Sequence, residues 1–198
     1  MIFGVACLAA VAFIWLMAWG IYNKVAVTSM SGFTRVGEPA PDFTLQLLSG
    51  GEIEMSELEG RPIVINFWNP LCTPCRDEAL GLERAWKAYS DKGVVFIGID
   101  TPMMPDSKEM AISYVEEFGI TYLNGRDIDG RITVGYGVIG LPVTFFVGNN
   151  GIVQKHWVGS IPEDRLLMWV DSLASGGMLS EEIEGENSGS YYQPETEG

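Results

Sequence analysis

The sequence predicts an α/β fold in which a mixed central sheet has helices on both faces. Two runs, PIVINFW (62–68) and VVFIGI (94–99), are almost wholly apolar, as strands buried on both faces are. A segment with helical periodicity separates them. Two further strand-like runs, 143–147 and 152–158, flank the turn GNNG and predict a hairpin. A βαβ unit and a ββα unit that follows it can share one mixed sheet with helices on both faces.

Apolar residues at helical spacing predict the first two helices. The first extends from Cys72 to about Asp91. The second begins at Asp106 or Ser107, either of which can cap it, and stops at Gly119. Both therefore follow a predicted buried strand and can cover the sheet.

Two shorter patterns complete the predicted domain. Ser160 and Glu163 have the spacing of a capping box, which predicts a last helix that continues through Leu173. Alternation over 43–47 and 53–55, around the turn SGGE, predicts an N-terminal β-hairpin that leads into the core.

The ends of the chain differ in composition from this core. Residues 1–22 contain no charged side chain and are long enough to span a bilayer, which predicts a transmembrane signal anchor. No basic residue precedes the apolar run, which argues against a cleaved signal peptide. Residues 23–35 resemble a linker, 36–175 form the predicted domain, and 176–198, with six Glu and no Lys or Arg, predict an acidic disordered tail.

The overall charge limits the classes of partner. The formal net charge is −14, so nucleic acid and anionic lipid headgroups would be repelled. We therefore expect no nucleic-acid partner. The content of hydrophobic residues, 47%, is ample for one domain core.

Two of the three cysteines, Cys72 and Cys75, lie together in VINFWNPLCTPCRDEAL. A structural zinc site needs four ligands, and only Cys7, in the predicted anchor, and His156, expected on a strand surface, remain. Haem attachment needs a histidine after the second cysteine, where this chain has Arg76. A disulfide that closes so short a loop stabilises a fold little. We therefore predict no metal site and favour a redox pair.

The junction of a buried strand and a helix gives the two sulfurs different predicted roles. Cys72 lies where unpaired N–H groups and the helix dipole favour a thiolate. Pro74 suits the first helical turn, and Arg76 adds positive charge. We predict that Cys72 is the solvent-facing nucleophile and that Cys75 resolves the mixed disulfide.

The segments NFWNPLCTPCRDE and YGVIGLPVTFFV together resemble the thioredoxin superfamily. Within it, they are similar to the membrane-anchored thiol–disulfide oxidoreductases of cytochrome c biogenesis, the TlpA, ResA and CcmG type. The resemblance covers about residues 36–174. It implies a thioredoxin fold in which a cis bond before Pro142 faces the cysteines and holds a backbone edge for a substrate strand. It also implies substrate contacts from four residues within these two motifs: Leu71, Thr73, Pro74 and Leu141.

The resemblance also implies a role for an acid three residues after the second cysteine. Glu78 occupies that position and would exchange protons with Cys75, although a solvated helix glutamate is the alternative. Asn66 stands where thioredoxin itself has a buried aspartate. Leu71 replaces the tryptophan that most relatives have before the first cysteine, which alters the surface around the nucleophile.

The resemblance implies that this protein reduces disulfides in partner proteins such as apocytochrome c. A membrane electron donor of the CcdA or DsbD type would then reduce its Cys72–Cys75 disulfide again. No cofactor is expected beyond the redox-active Cys72–Cys75 disulfide. A disulfide-forming oxidant, which would use the same dithiol chemistry in the opposite direction, is an alternative function. A thiol peroxidase needs a threonine where this chain has Asn69. A copper-delivery protein would use both cysteines and His156, but related carriers space their cysteines by three residues.

Two signals disagree about the location of the domain. Lys24 and Arg35 follow the predicted span and no basic residue precedes it, which by the positive-inside rule favours the cytoplasm. A retained dithiol reductant is most useful where partner thiols become oxidised. We therefore predict a single-pass protein of the cell membrane with an extracytoplasmic domain.

Overall fold

A computed structural model describes Trp15 and residues 36–179, and a seven-stranded mixed sheet forms the centre of that region. In chain order, its strands are β1 (Thr44–Leu47), β2 (Glu52–Glu54), β3 (Ile63–Trp68), β4 (Val95–Asp100), β5 (Leu123–Arg126), β6 (Val143–Val147) and β7 (Val153–Val158). The α-helices of this region are α1 (Thr73–Tyr89), α2 (Lys108–Glu117), α3 (Arg131–Gly135) and α4 (Glu163–Ala174). Across the sheet, the strand order is β2-β1-β5-β4-β3-β6-β7.

The pairing within the sheet confirms the predicted mixed α/β fold. β3 runs parallel to β4 and antiparallel to β6, and β4 also runs parallel to β5. β1 pairs antiparallel with both β2 and β5, and β6 pairs antiparallel with β7. The carboxyl ends of β3, β4 and β5 therefore meet at one edge of the sheet.

β3 is the strand on which the site is built. All six of its residues are buried, and its five hydrophobic residues alternate between two core clusters. Val64 and Trp68 pack in the cluster that also contains residues of α1 and α4, whereas Phe67 packs in the cluster on the other face. The strand thus ends, still fully buried, just before the cysteines.

Several predicted boundaries agree with the structure. Ser107 caps α2, because its hydroxyl accepts the Met110 N–H at 3.3 Å. The first helix ends at Tyr89 and is followed by a short 3-10 turn, which Gly93 terminates at a φ of 89°. A left-handed residue of this kind favours glycine.

Other predictions differ from the structure. The capping box of Ser160 and Glu163 does not form: Pro162 precedes the first residue of α4, and the Glu163 carboxylate binds Arg84 at 2.6 Å. β5 was not predicted from the sequence; it is only four residues long and includes Asn124-Gly125. An Asn-Gly pair is typical of turns, so the local signal opposed the strand.

The N-terminal predictions lie partly outside the described residues. β1 and β2 form an antiparallel pair in which Leu45 lies opposite Ile53. The predicted anchor, apart from Trp15, is outside the described part of the chain. None of the helices in that part combines the length and apolarity needed to cross a bilayer.

A side-chain hydrogen bond fixes Trp68, the last residue of β3. The Trp68 indole N–H donates to Asn124 Oδ1 at 3.1 Å, and this bond passes over Gly98 of β4. A Cβ at Gly98 would lie 2.0 Å from Asn124 Oδ1 and 2.8 Å from Trp68 Nε1. Glycine at position 98 is therefore a packing requirement.

We expect Gly98→Ala to lower the free energy of unfolding by about 2–3 kcal/mol, because the methyl group must displace a buried hydrogen-bonded pair. Chemical denaturation of the purified protein measures the change. Gly135→Ala is the matched control, since a Cβ at Gly135 meets no atom within 4 Å. Equal midpoints for the two variants would contradict the packing requirement.

Candidate active site

Cys72 and Cys75 form a disulfide where β3 passes into α1. Their sulfurs are 2.03 Å apart and their Cα atoms 5.3 Å apart. Cys72 is the N-cap of α1, and its sulfur accepts the Cys75 N–H at 3.3 Å. Pro74, the second helical residue, has no N–H to leave unpaired. The junction therefore places the first sulfur at a helix N-terminus, where a thiolate is favoured.

The oxidised pair is more enclosed than the sequence predicts. Cys72 is 3% exposed and Cys75 1% exposed, so the predicted solvent-facing position of Cys72 is wrong for this disulfide form. Bonding to a buried partner holds the Cys72 sulfur inward. The exposed surface here comes from the neighbouring residues Leu71, which is 47% exposed, Thr73 and Pro74.

The Leu141–Pro142 segment lies at the same edge of the sheet. Its peptide bond is cis, and β6 begins at the next residue, Val143, which pairs with Phe67 near the end of β3. The Pro142 carbonyl accepts the Gly159 N–H at 2.8 Å. Leu141 packs against the core cluster that contains both cysteines. The register thus brings the two sequence motifs together.

Glu78 lies one helical turn after Cys75 and is only 4% exposed. Its Oε1 accepts the Asn66 side-chain N–H at 2.7 Å, and its Oε2 accepts the Ile161 backbone N–H at 2.9 Å. Desolvation raises the pKa of Glu78 to about 7, although both hydrogen bonds oppose that shift. Glu78 is therefore a buried acid that can change protonation near neutral pH, and not a solvated helix residue.

Asn66 links this acid to the neighbouring strand. Its amide also donates to the Thr144 hydroxyl at 2.9 Å, so one buried side chain connects β3, β6 and α1. An amide can rotate and offer its oxygen instead of its N–H. Asn66 can thus serve either the ionised or the protonated form of Glu78.

The surroundings of Cys75 include an aromatic stack that the sequence analysis did not single out. The Tyr114 hydroxyl donates to the Cys75 carbonyl at 2.9 Å, and its ring stacks on Trp68 with centroids 4.3 Å apart. The Arg76 guanidinium pairs with Glu117 and lies 5.0 Å from the Phe118 ring centroid. Its positive charge is therefore shared with an acid, which weakens the contribution predicted for it at the cysteines.

A second polar cluster, beside Cys72, was also not predicted from the sequence. Asn69 directly follows β3, is buried, and donates toward the end of β4, where Asp100 forms an ion pair with Arg126. The Asn-Pro dipeptide signals a turn at this point. Nothing in the local sequence indicates Arg126 as the partner, because that pairing depends on the parallel crossover from β4 to β5.

His156 is half-buried on β7, with its ring centroid 5.8 Å from that of Phe145. Within Trp15 and residues 36–179, no group of three or more His, Cys, Asp or Glu side chains is placed to hold a metal ion.

With this geometry in place, comparison with known proteins decides the family. The protein-family model described as "AhpC/TSA family" matches residues 36–156. The chain belongs to the AhpC/TSA family. The match contains both cysteines, Glu78 and the cis-proline segment.

Several proteins that are similar to this chain have thiol–disulfide names. The chain is 34% identical to the thiol:disulfide interchange protein DsbE of Pseudomonas fluorescens biotype C over 142 residues, which are 71% of this chain and 74% of that protein. It is 28% identical to the thiol–disulfide oxidoreductase ResA of Oceanobacillus iheyensis over 145 residues, which are 71% of this chain and 73% of the relative.

A solved structure with the same fold has a matching description. It is a secreted Mycobacterium tuberculosis disulfide oxidoreductase described as homologous to E. coli DsbE, with a TM-score of 0.61 and 29% identity. The alignment covers 66% of this chain and 96% of that structure. Together with the Cys72–Cys75 disulfide, these similarities identify the AhpC/TSA-family chain as a thiol–disulfide oxidoreductase of the ResA and DsbE type.

The raised pKa of Glu78 predicts how stability depends on pH. The folded protein binds this proton more tightly than the unfolded chain, so the contribution is fully present below the ordinary glutamate pKa of 4.5 and is lost as pH rises through about 7. We expect the parent protein to lose on the order of 3 kcal/mol of its free energy of unfolding between pH 4 and 8, and Glu78→Gln to remove this loss. Denaturation curves of the oxidised protein across that range measure it.

Glu116→Gln is the control, because Glu116 is an exposed glutamate on α2. It should leave the pH dependence of the parent unchanged. Parallel pH profiles for Glu78→Gln and the parent would show that burial does not perturb the Glu78 carboxyl.

Proposed function

We propose that this protein is a membrane-anchored reductant of disulfides in extracytoplasmic partner proteins, with apocytochrome c as the substrate. The observation that carries the proposal is the Cys72–Cys75 pair at the start of α1 with the buried acid Glu78 one turn behind it. Such an arrangement gives one reactive sulfur and one sulfur with a proton acceptor nearby. Similarity to ResA and DsbE proteins supports the same chemistry.

The proposed cycle begins with the reduced dithiol. The Cys72 thiolate attacks one sulfur of the partner disulfide, a mixed disulfide forms, and the other partner sulfur leaves as a thiolate. Glu78 then accepts the Cys75 proton, and the Cys75 thiolate attacks Cys72. The second partner sulfur leaves, both partner thiolates take protons, and two electrons have passed from this protein to the partner.

Recharging needs a donor of two electrons and two protons. We propose a membrane dithiol of the CcdA or DsbD type, because an anchored domain meets a membrane donor readily. In this proposal, residues 1–22 form the anchor, 23–35 the linker, 36–175 the catalytic domain and 176–198 an acidic tail. Their apolar, polar and acidic compositions support that division.

The proposed docking surface uses the residues that flank the disulfide. Leu71, Thr73 and Pro74 are exposed beside Cys72, and Leu141 begins the cis-proline segment. An extended partner strand beside Leu141 would place its disulfide near the Cys72 sulfur. Leu71 presents an apolar side chain there, which favours partners whose disulfide has apolar neighbours.

We expect Cys75→Ser to accumulate mixed disulfides with partner proteins, because the resolving thiol is absent while Cys72 remains. Non-reducing electrophoresis followed by mass spectrometry identifies the captured chains. The matched control is Cys72→Ser, which retains one site cysteine but should capture little. Equal capture by both variants would contradict the assignment of Cys72 as the nucleophile, and capture without any cytochrome c would contradict the substrate.

Equilibration of the wild-type pair with glutathione separates a reductant from an oxidant. We expect the disulfide to persist under conditions that reduce the strongest oxidases, whose potentials are about −120 mV. A value in that range would support the oxidant instead. Peroxide turnover should stay at the level of a free thiol, because Asn69 replaces the threonine that peroxidases need; faster turnover would support a peroxidase.

A further inference from the structure

Four buried or half-buried polar side chains lie beside the turn that carries Cys72. Asn69 and Asp100 are buried, and Arg126 donates to Asp100 at 2.8 Å and to Asp106 at 3.0 Å. We call Asn69, Asp100, Asp106 and Arg126 the β4-end cluster. It occupies the edge of the sheet where β3, β4 and β5 end.

Asn69 contacts the nucleophile turn through two different oxygens. Its side-chain Oδ1 accepts the Leu71 N–H at 3.0 Å, and its backbone carbonyl accepts the Cys72 N–H at 3.0 Å. The side-chain bond reaches two residues forward, as in an Asx turn. Both N–H groups before the helix are therefore bound to one residue.

The other end of the same side chain is fixed to β4 and to the loop after it. Asn69 Nδ2 donates to the Thr101 carbonyl at 3.0 Å and lies 3.4 Å from Asp100 Oδ1. It also lies 3.5 Å from the Met104 carbonyl. The turn before Cys72 is thus held against a neighbouring strand, and not only by its own backbone.

The position of this turn determines what the Cys72 sulfur can contact. Pro74 provides no N–H, and the Cys75 N–H reaches the sulfur at 3.3 Å only while Cys72 stays at the N-cap of α1. A turn that rotates would move the sulfur away from that donor and from the positive end of the helix dipole.

We propose that Asn69 is a positioning residue for Cys72: it fixes the turn that keeps the Cys72 sulfur on the Cys75 N–H and so stabilises the thiolate after reduction. The inference rests on Cys72 being the attacking sulfur. Asn69 touches neither sulfur in the contacts described above, so it acts through the backbone of the turn.

The charges around Asn69 explain why an amide suits this position. Asp100 and Asp106 share the single positive charge of Arg126, and Asp106 Oδ2 is a buried oxygen with no donor within the described residues. One proton held between the two carboxyls would satisfy it. Burial, with repulsion from Asp106, raises the pKa of Asp100 accordingly. The nearby Asp127 instead accepts N–H groups of Ile132 and Thr133 at the start of α3.

The test measures the pH profile of Cys72 alkylation by iodoacetamide in the reduced full-length Cys75→Ser protein, with the Cys72 peptide quantified by mass spectrometry. We expect Asn69→Ala to raise the midpoint of the profile by about 0.7 pH units, the equivalent of one hydrogen bond of ordinary strength. In the protein with both cysteines, the glutathione equilibrium should shift about fivefold toward the disulfide.

Asn69→Asp separates positioning from simple loss of packing. The introduced carboxyl keeps an acceptor for the Leu71 N–H but replaces a donor with a charge beside Asp100. We expect a larger rise of the midpoint than for Asn69→Ala, and a return toward the parent rate at low pH, where the carboxyl is protonated and can donate again. A residue needed only for folding would not show this recovery.

Asn150→Ala is the matched control. Asn150 Oδ1 accepts the Ile152 N–H at 3.1 Å, which is the same two-residue contact in the turn between β6 and β7. It should leave the midpoint unchanged. If Asn69→Ala does not fold, Asn69→Ser replaces it in the comparison of midpoints, because serine retains an acceptor for the Leu71 N–H.

Two outcomes are distinguishable. Midpoints that are the same in the parent, the Asn69 variants and Asn150→Ala would overturn the positioning role while leaving Cys72 as the nucleophile. In the protein with both cysteines, preferential alkylation of Cys75 would instead overturn the assignment on which the inference and the proposed function both rest.

Discussion

The complete burial of β3 is the constraint on which the rest of the site depends. A central strand that is covered on both faces has room for a polar side chain only if that side chain is hydrogen-bonded. Asn66 meets this requirement by donating to Glu78 and Thr144, and Asn69, just past the strand, meets it by donating toward β4. The same two side chains also bind the segment that carries the cysteines, because Asn66 donates to Glu78 of α1 and Asn69 accepts the Leu71 N–H.

The two sulfurs consequently have different surroundings. The Cys75 side has the buried acid Glu78 and the Tyr114 hydroxyl on its carbonyl, whereas the Cys72 side has a turn bound to the end of β4. A single helix could not provide both settings, because residues before and after its first turn face different strands. The parallel pairing of β3 with β4 and its antiparallel pairing with β6 supply the two environments.

Local patterns in the sequence predict β3, α1 and the β6–β7 hairpin, because burial and helical periodicity are properties of adjacent residues. They do not predict β5, whose Asn124-Gly125 pair resembles a turn until Trp68 and Gly98 are placed beside it. The same limit applies to the site. The cysteines are visible as a spacing and Glu78 through a resemblance, but the partners Ile161 and Arg126 are 83 and 26 residues away from the acids they bind. Only the fold brings them together.

Two equally buried glutamates on α1 have different hydrogen-bond partners. Glu83 is as buried as Glu78, but its carboxylate binds the Lys87 ammonium at 3.0 Å and both the N–H and the hydroxyl of Thr121. Glu78 receives its two hydrogen bonds from neutral groups, the Asn66 amide and the Ile161 N–H. At Glu78, these neutral donors offset only part of the desolvation that raises the pKa of the carboxyl. The ability of Glu78 to change protonation beside Cys75 therefore depends on the neutral residue at position 66, because a cation there would hold the Glu78 carboxyl ionised.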